Sequence, residues 1–526
     1  MHDDTQVSRV IEMGKALRDG QFPVRWVSDL GYGYGYPIFN FYGPLPYYAG
    51  GVLYAVGVPA LIATKIMFAI GIIIPSVIIF WVLSVTVGWQ AGLLTSILYL
   101  YAPYHAVQIY VRGAVGEYWE LMFWPLIYYA FISWEKQKRM EGPFVAGVIG
   151  ISGAILAHTL LGYVTVLSVA LFYIMYWLVR MVRRQFDVRV AFWQGMSLVL
   201  GLGVSAFFWI PAIAEMNLTS VSGQVSVTAN YLDHFVCTGQ LWTSLWGYGG
   251  SVAGCVDGQS YMLGKIHLLM ALASAILWIV LRPKEDKTSW AVGGVIFAAG
   301  IFFATSISET VWKFIPGFSY LQYPWRFLAF TGFGLALLGG SLPRIVPNGV
   351  WRTGIAVAGS VIVVFMSTKW FVPQYIYEKP SSAFEEPLDL QWRASKISDE
   401  YLPPAIIRPT DASGVVFDTI YSGDAFTVSV AEHSSVHERL LVTATASAMV
   451  KLRKAYFPGW RYYVNEKEVV PLILNGLPSI EISKGSSEIV ATLTNTSVRA
   501  WSNVISVISI VSLGFIYYGK QKKTKR

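Results

Sequence analysis

Residues 66–87 read IMFAIGIIIPSVIIFWVLSVTV, twenty-two residues without a charge. At 1.5 Å of rise per residue a helix of that length crosses the roughly 30 Å hydrocarbon core of a bilayer. Similar apolar runs recur at approximately Ala91–Tyr104, Leu121–Trp134, Phe144–Ala157, Leu161–Val179, Ala191–Ile213, Ile266–Leu281, Trp290–Ala304, Phe327–Leu342, Thr353–Met366 and Val504–Tyr518. Together they predict about 11 transmembrane helices, several of them short enough to need flanking aromatics. The stretch 144–179 reads either as two short helices joined at His158–Thr159 or as one long helix with a re-entrant piece. Composition agrees: 13% of the 526 residues are charged, half the roughly 25% of soluble domains.

The net charge of +8 is not spread as a nucleic-acid footprint. It gathers in clusters: Lys136, Lys138 and Arg139; Arg180, Arg183, Arg184 and Arg189; Arg282, Lys284 and Lys287; Arg344 and Arg352; and the tail from Lys520 to Arg526. Counting crossings puts every cluster on one side, which the positive-inside rule makes cytoplasmic. The C-terminus is then cytoplasmic and the protein a multi-pass resident of the cell (cytoplasmic) membrane. The outer parts are residues 1–61, a short loop around Tyr110–Glu117, a long loop 214–262, a short loop 306–322, and the region 372–500. The transmembrane domain covers 62–371, and 501–526 holds the last helix and the basic tail. Because residues 1–61 fall outside with no signal peptide before them, a first transmembrane helix is expected to be missing ahead of Met1.

From about Ser413 to Val498 the period changes to short alternating runs: Val415–Ile420, Phe426–Val430, Leu440–Thr445, Met449–Ala455, Arg461–Val464, Ser479–Ile482 and Glu488–Leu493. With turns at Asn465-Glu-Lys, Asn475-Gly and Lys484-Gly-Ser-Ser, this reads as an extracytoplasmic β-sandwich. Phe457-Pro-Gly-Trp460 reads as a structural corner of it.

Chemistry is expected on the outer face. Asp3 and Asp4 form an acidic pair suited to act as general base toward an acceptor hydroxyl, or to hold a divalent metal with a phosphate. An amphipathic stretch follows (Val7, Val10, Ile11, Met13, Leu17), readable as a helix lying in the interface. Then come Arg25-Trp26 and Gly31–Pro37, whose Tyr34 and Tyr36 put amphipathic rings on a bendable backbone. Arg112 and Glu117 sit in an outer loop, His158 ends the fourth run, and Gln322 and Arg326 open the ninth. Arginines there can offer forks to phosphate. Trp246 and Tyr248 in the long loop are candidate sugar-stacking rings. Cys237 and Cys255, close together in that loop, are read as a disulfide. No Walker loop, Rossmann glycine pattern, HExxH or serine elbow is present.

The series His2-Asp3, Arg25-Trp26 with Gly31–Pro37, Phe39–Tyr42, Tyr110–Glu117, Trp246–Ser251, Gln322–Arg326 and Phe457–Trp460 resembles the bacterial membrane family labelled 6-pyruvoyl-tetrahydropterin synthase-related. It is more distantly similar to YfhO-like proteins, over nearly the whole chain. The resemblance implies a GT-C-like fold and a glycosyltransferase activity. The donor would be a polyprenyl-phosphate-linked sugar and the acceptor an envelope glycan, lipid or protein. It also implies that the first outer loop carries the acidic catalytic residue, here Asp3 with Asp4 beside it. A lipid-linked saccharide transporter or flippase, or a non-catalytic envelope-assembly protein, are the competing expectations.

Overall fold

The computed structural model describes residues 5–137, 141–221, 230–281, 287–346, 349–376, 378–415, 422–423 and 425–524. All eleven apolar runs are helical in it. The helices are α1 (Gln6–Arg18), α2 (Leu45–Ala55), α3 (Ala60–Thr86), α4 (Trp89–Leu100), α5 (Val115–Glu120), α6 (Trp124–Gln137) and α7 (Glu141–Ala157). They continue with α8 (Thr159–Val182), α9 (Val188–Val204), α10 (Ala206–Ala214), α11 (Lys265–Leu281), α12 (Lys287–Ala304), α13 (Leu328–Gly340), α14 (Gly349–Ser367) and α15 (Ser497–Thr524).

Among the described residues, six are long and apolar enough to cross a membrane: α3, α8, α12, the segment Pro324–Ile345 around α13, α14 with its extension to Trp370, and α15. Helices α9 and α10 make a seventh if taken as one span bent by 68°. The helices of the other predicted crossings are shorter among the described residues. Helix α4 stops after 12 residues and α6 has 14, while α7 and α11 have 17 each. The stretch 144–179 resolves into two helices, α7 and α8, broken at His158, whose Nδ1 accepts the Leu161 backbone N–H at 3.1 Å.

The described residues of the C-terminal region carry nine strands. They are β1 (Ser422–Gly423), β2 (Phe426–His433), β3 (His437–Ala444), β4 (Ala448–Lys451), β5 (Trp460–Val464), β6 (Lys467–Val469), β7 (Leu472–Leu474), β8 (Leu477–Ile482) and β9 (Gly485–Leu493). They form two antiparallel sheets, ordered β1-β2-β3-β9-β5-β6 and β4-β8-β7. Leu440, Val442, Ile489 and Ala491 of the first share a core with Val450, Ile480 and Ile482 of the second. Two hairpins close on two-residue turns with positive φ, Asn465-Glu466 and Asn475-Gly476, as the twist of paired strands favours. The expected strand Val415–Ile420 falls mostly outside the described residues.

The N-terminal segment joins the helical and sheet regions. Val10, Ile11, Trp26, Tyr36 and Phe39 belong to the same apolar core as Tyr118 and Trp119 of α5 and Leu440, Phe457 and Trp460. Helix α1 therefore does not lie in an interface with one face in water. Its polar residues Gln6, Ser8, Arg9 and Glu12 are as buried as its apolar ones, and Gln6, Arg9 and Glu12 each find a partner on a distant element. Helix α5 sits against α3 at Gly71, where a Cβ would come within 2.2 Å of the Tyr118 ring and 2.5 Å of Trp119. Only a residue without a side chain admits that approach. Phe457 and Trp460 are buried against Trp26, a corner of the core as expected.

Candidate functional site

Arg112 ends a short π-helical segment, Val107–Arg112, which Gly113 stops by adopting a left-handed φ of 68°. Ala114 then donates its N–H back to the Gln108 carbonyl at 2.9 Å and α5 begins. The reversal returns the chain over itself so that residues five apart meet. Arg112 grips Glu117 with both terminal nitrogens, Nη1 on Oε2 and Nη2 on Oε1, the latter at 2.7 Å. Arg326, from the turn opening the span 324–345, brings Nε to 3.2 Å of Glu117 Oε1. That contact is an ion pair lying off hydrogen-bond alignment, and Arg326 Nη1 is buried with no hydrogen-bond partner. Three residues singled out in sequence thus converge.

Burial by itself would raise the Glu117 carboxyl, but the Arg112 and Arg326 guanidiniums outweigh it and hold the group down at about 2. The cluster is Glu⁻ between two cations at physiological pH. Arg112 lies 4.3 Å over the Trp325 ring, and its Nη1 also reaches the Tyr104 hydroxyl at 3.4 Å. Trp325 is stacked on Tyr323 and donates its indole N–H to Ser251 Oγ at 2.9 Å. Ser251 in turn bonds His234 Nδ1 at 2.9 Å and Tyr261 at 3.0 Å. The arginine platform is therefore braced by the loop that Cys237 and Cys255 close; the two form a disulfide with Cα atoms 5.6 Å apart. His158 is packed beside Gly116, its ring 3.0 Å from where a Cβ would sit there, and feels the Glu117 charge.

Helix α1 abuts the same loop. Gln6 Nε2 donates to the Gly113 carbonyl at 2.9 Å, and the Tyr47 hydroxyl donates to Gln6 Oε1 at 2.6 Å. Arg9 lies 4.4 Å over Tyr42 and donates to Tyr47 and Ser398. Sequence reasoning passed over Gln6, Arg9, Tyr104 and Ser251. Arg9, with Lys15 and Arg18, falls on the polar face of the expected interfacial helix, and Gln6 and Ser251 carry no charge to mark them.

Other predicted site residues go elsewhere. Arg25 donates to Asn40 Oδ1 at 3.0 Å, the Phe207 carbonyl at 2.9 Å and Asn503 Oδ1 at 3.0 Å. It joins a buried network centred on Glu215 and Arg499. Tyr36 accepts the Tyr401 N–H, and the Tyr34 carbonyl accepts the Ala455 N–H. Both belong to the seam between the N-terminal loop and residues 401–455. Trp246 packs 5.2 Å from Trp370, and the Tyr248 hydroxyl donates to the Val372 carbonyl at 2.8 Å. Gln322 is half-buried with a left-handed φ of 60°, four residues before Arg326. Asp3 and Asp4, and with them the expected metal position, lie outside the described residues. Among the described residues no group of three His, Cys, Asp or Glu side chains is placed to hold a metal.

A second acidic cluster lies at the far end of α1. Glu12, 1% exposed, accepts the Asp29 N–H at 2.9 Å and lies 3.3 Å from Lys15, which itself bonds Asp29 at 2.5 Å. Burial first, then the Asp29 charge, raise Glu12 to about 8 from an ordinary 4.5. A folded value above the unfolded one means that its stabilising contribution is complete below about 4.5 and lost as pH rises through about 8. Glu12→Gln is therefore expected to exceed the wild type in stability above that pH, by ~1–3 kcal/mol. Thermal unfolding across pH checks this, and superimposable profiles would refute it.

No family model matches the chain, and no solved structure does. A protein of Lactococcus lactis subsp. cremoris (strain MG1363), described only as uncharacterized, is 23% identical over 214 residues. That match covers 40% of this chain and spans about a third (34%) of the relative's length.

Proposed function

We propose that this chain is a multi-pass GT-C-type glycosyltransferase, related to the membrane family its motifs resemble. On this reading it transfers a sugar from a polyprenyl-phosphate-linked donor to an envelope acceptor on the outer face of the cell membrane. The observation that carries the proposal is the buried Arg112–Glu117–Arg326 cluster at the mouths of apolar helices, with more guanidinium than carboxylate and an unpartnered Nη1 on Arg326. A phosphate with a lipid tail needs that pairing of fixed cations with an apolar flank, and a leaving phosphate is stabilised by cations already in place. The short helices α4, α6, α7 and α11 complete the eleven crossings with their aromatic ends. The orientation with the basic clusters inside puts the cluster and the sheet region outside.

Asp3 and Asp4 are assigned as the base toward the acceptor hydroxyl. They precede Thr5 and Gln6, both buried, and Gln6 donates to the Gly113 carbonyl of the loop bearing Arg112 and Glu117. The test is sugar transfer from a radiolabelled polyprenyl-phosphate donor by the full-length protein in vesicles, with and without the paired change Asp3→Asn and Asp4→Asn. Loss of transfer on pairing the changes is expected. Undiminished transfer would sink the base assignment, and no transfer by the wild type with any donor would sink the enzyme reading. The 68° break between α9 and α10 favours one alternative, a transporter of lipid-linked saccharide, since broken helices form substrate sites in such proteins. Movement of a labelled lipid-saccharide across vesicles without sugar transfer would select it.

A further inference from the structure

Helices α6 and α8 end, and α9 begins, around a small cavity remote in sequence from the arginine cluster. Trp134 and Glu135 reach it from the last turn of α6, Tyr176 and Arg180 from the last turns of α8, and Phe186 and Asp187 from the loop into α9. Its interior is about 40 Å³, close to the share of about 30 Å³ that one water takes in the liquid. One small group fits there, and a sugar ring or a nucleotide base does not.

The polar lining leaves two acceptors open. The Tyr176 hydroxyl donates to Glu135 Oε2, while Oε1 has an ion pair at 3.5 Å to Arg180 Nη1 and no hydrogen bond. Asp187 caps α9 through Oδ1, which accepts the N–H groups of Arg189 at 2.9 Å and Val190 at 3.3 Å. Its Oδ2 accepts none among the described residues. Two carboxylate oxygens without donors, set among aromatic faces, suit a small cation rich in N–H. An ammonium is that group, with three donors and no acceptor, and aromatic faces attract it. Arg180 uses Nη1 on Gln185 Oε1 at 3.2 Å and keeps Nε and Nη2 for an anion beside that ammonium.

The surface next to the cavity is apolar. Leu171, Met175, Leu178 and Val182 recur at helical spacing along α8, and all four are exposed. Helix α8 is long and apolar enough to cross a membrane, and on such a crossing this stripe meets acyl chains.

We propose that the cavity binds an aminophospholipid of the adjoining leaflet. Its primary ammonium enters among the rings onto Glu135 and Asp187, its phosphate meets Arg180, and its acyl chains follow the outer stripe of α8. The proposal needs only that the chain crosses a bilayer and is independent of the sugar-transfer reading. Arg183, Arg184 and Arg189 stand exposed on the same side. They and the other basic residues there draw every phosphate-bearing lipid alike, so they set no preference between headgroups. The two carboxylates do. A choline head carries the charge without an N–H to give, and a glycerol head has hydroxyls without the charge.

The test titrates dioleoyl lipids with ethanolamine, choline or glycerol heads into the delipidated full-length protein in detergent, counting bound lipid by native mass spectrometry. The wild type is expected to bind the ethanolamine lipid about tenfold tighter than either other, the scale of charge-assisted hydrogen bonds. Asp187→Asn removes a charge and keeps a residue that caps helices well. Combined with Glu135→Gln, it should erase the preference while the glycerol lipid binds at least as well as before. Equal affinities in the wild type, or an unchanged preference in the double variant, would overturn the proposal.

Water-soluble glycerophosphoethanolamine separates a lipid from a free headgroup. It should displace the lipid only at far higher concentration, and displacement at equal concentration overturns the lipid assignment. A second copy of the chain that covers α8 and excludes lipid overturns it too. Should the double variant not fold, the N-acetylated ethanolamine lipid decides on the wild type alone, since it keeps phosphate and chains and loses the cation. Weaker binding than that of the parent lipid supports the proposal, and equal binding overturns it.

Discussion

Glu215→Ala is expected to destabilise the protein by ~3–5 kcal/mol, as loss of one partner from a buried ion pair does. Glu215 is 5% exposed and Arg499 1%. The carboxylate accepts from Arg499 Nε at 3.0 Å and Nη2 at 2.9 Å, from Asn40 Nδ2 at 2.8 Å and from Thr496 Oγ1 at 2.8 Å. Asn40 passes the contact to Arg25, so the one carboxylate stands against two buried guanidiniums. Four pieces of chain meet there: the loop after α1, Ile38–Phe41, the end of α10 and the start of α15. Without the carboxylate, both cations stay desolvated with no anion among the described residues to answer them. Against a typical total stability of about 5–15 kcal/mol, such a loss should abolish cooperative unfolding near physiological temperature. Glu215→Gln keeps an acceptor and should lose less, ~1–3 kcal/mol. Unfolding in detergent measures both, and a shift in the alanine variant no larger than in the glutamine variant would refute the charge argument.

That network was largely illegible in the sequence, and the reason is distance. Glu215 and Arg499 stand 284 residues apart, each an isolated charge at the edge of an apolar run, which on its own reads as snorkelling. The long apolar runs were legible because hydropathy over twenty residues does not depend on what packs against them. The two-residue turns at Asn465 and Asn475 were legible because their backbone conformation is local. Strands β6 and β7 were not, since three residues carry too little alternation to register. Helix α1 was misread for a related reason. Its polar stripe of Arg9 and Glu12 looks solvated until Tyr47, Ser398 and Asp29 are brought to it from elsewhere. Arg112, Glu117 and Arg326 lay between these cases. Charges set at the ends of apolar segments marked them individually, while their meeting depended on the reversal at Gly113 and on the docking of α5 at Gly71.

Arg326→Ala should separate the role of the cluster in the proposed reaction from its role in folding. Arg112 and Glu117 hold each other through two hydrogen bonds without Arg326, so the buried carboxylate keeps its cation and the loop its shape. What disappears is the guanidinium whose Nη1 has no partner in the protein. In a site where fixed charge stabilises a leaving phosphate, removing one such donor costs about 100- to 1,000-fold in turnover. Transfer from a polyprenyl-phosphate donor is therefore expected to fall by that order, with a thermal midpoint close to that of the wild type. Arg326→Lys restores the charge but not the planar fork, and it should recover only part of the loss. Full recovery by lysine would mean that charge alone matters at this position. An alanine variant with undiminished transfer would detach Arg326 from the chemistry and leave the cluster as a structural pin between α5 and the span that follows Pro324. Because Arg326 and Glu117 are joined by a single off-axis contact while Arg112 and Glu117 share two, the same change made at Arg112 should cost both activity and stability. The contrast between the two arginines, more than either loss alone, tells a ligand-binding guanidinium from a structural one.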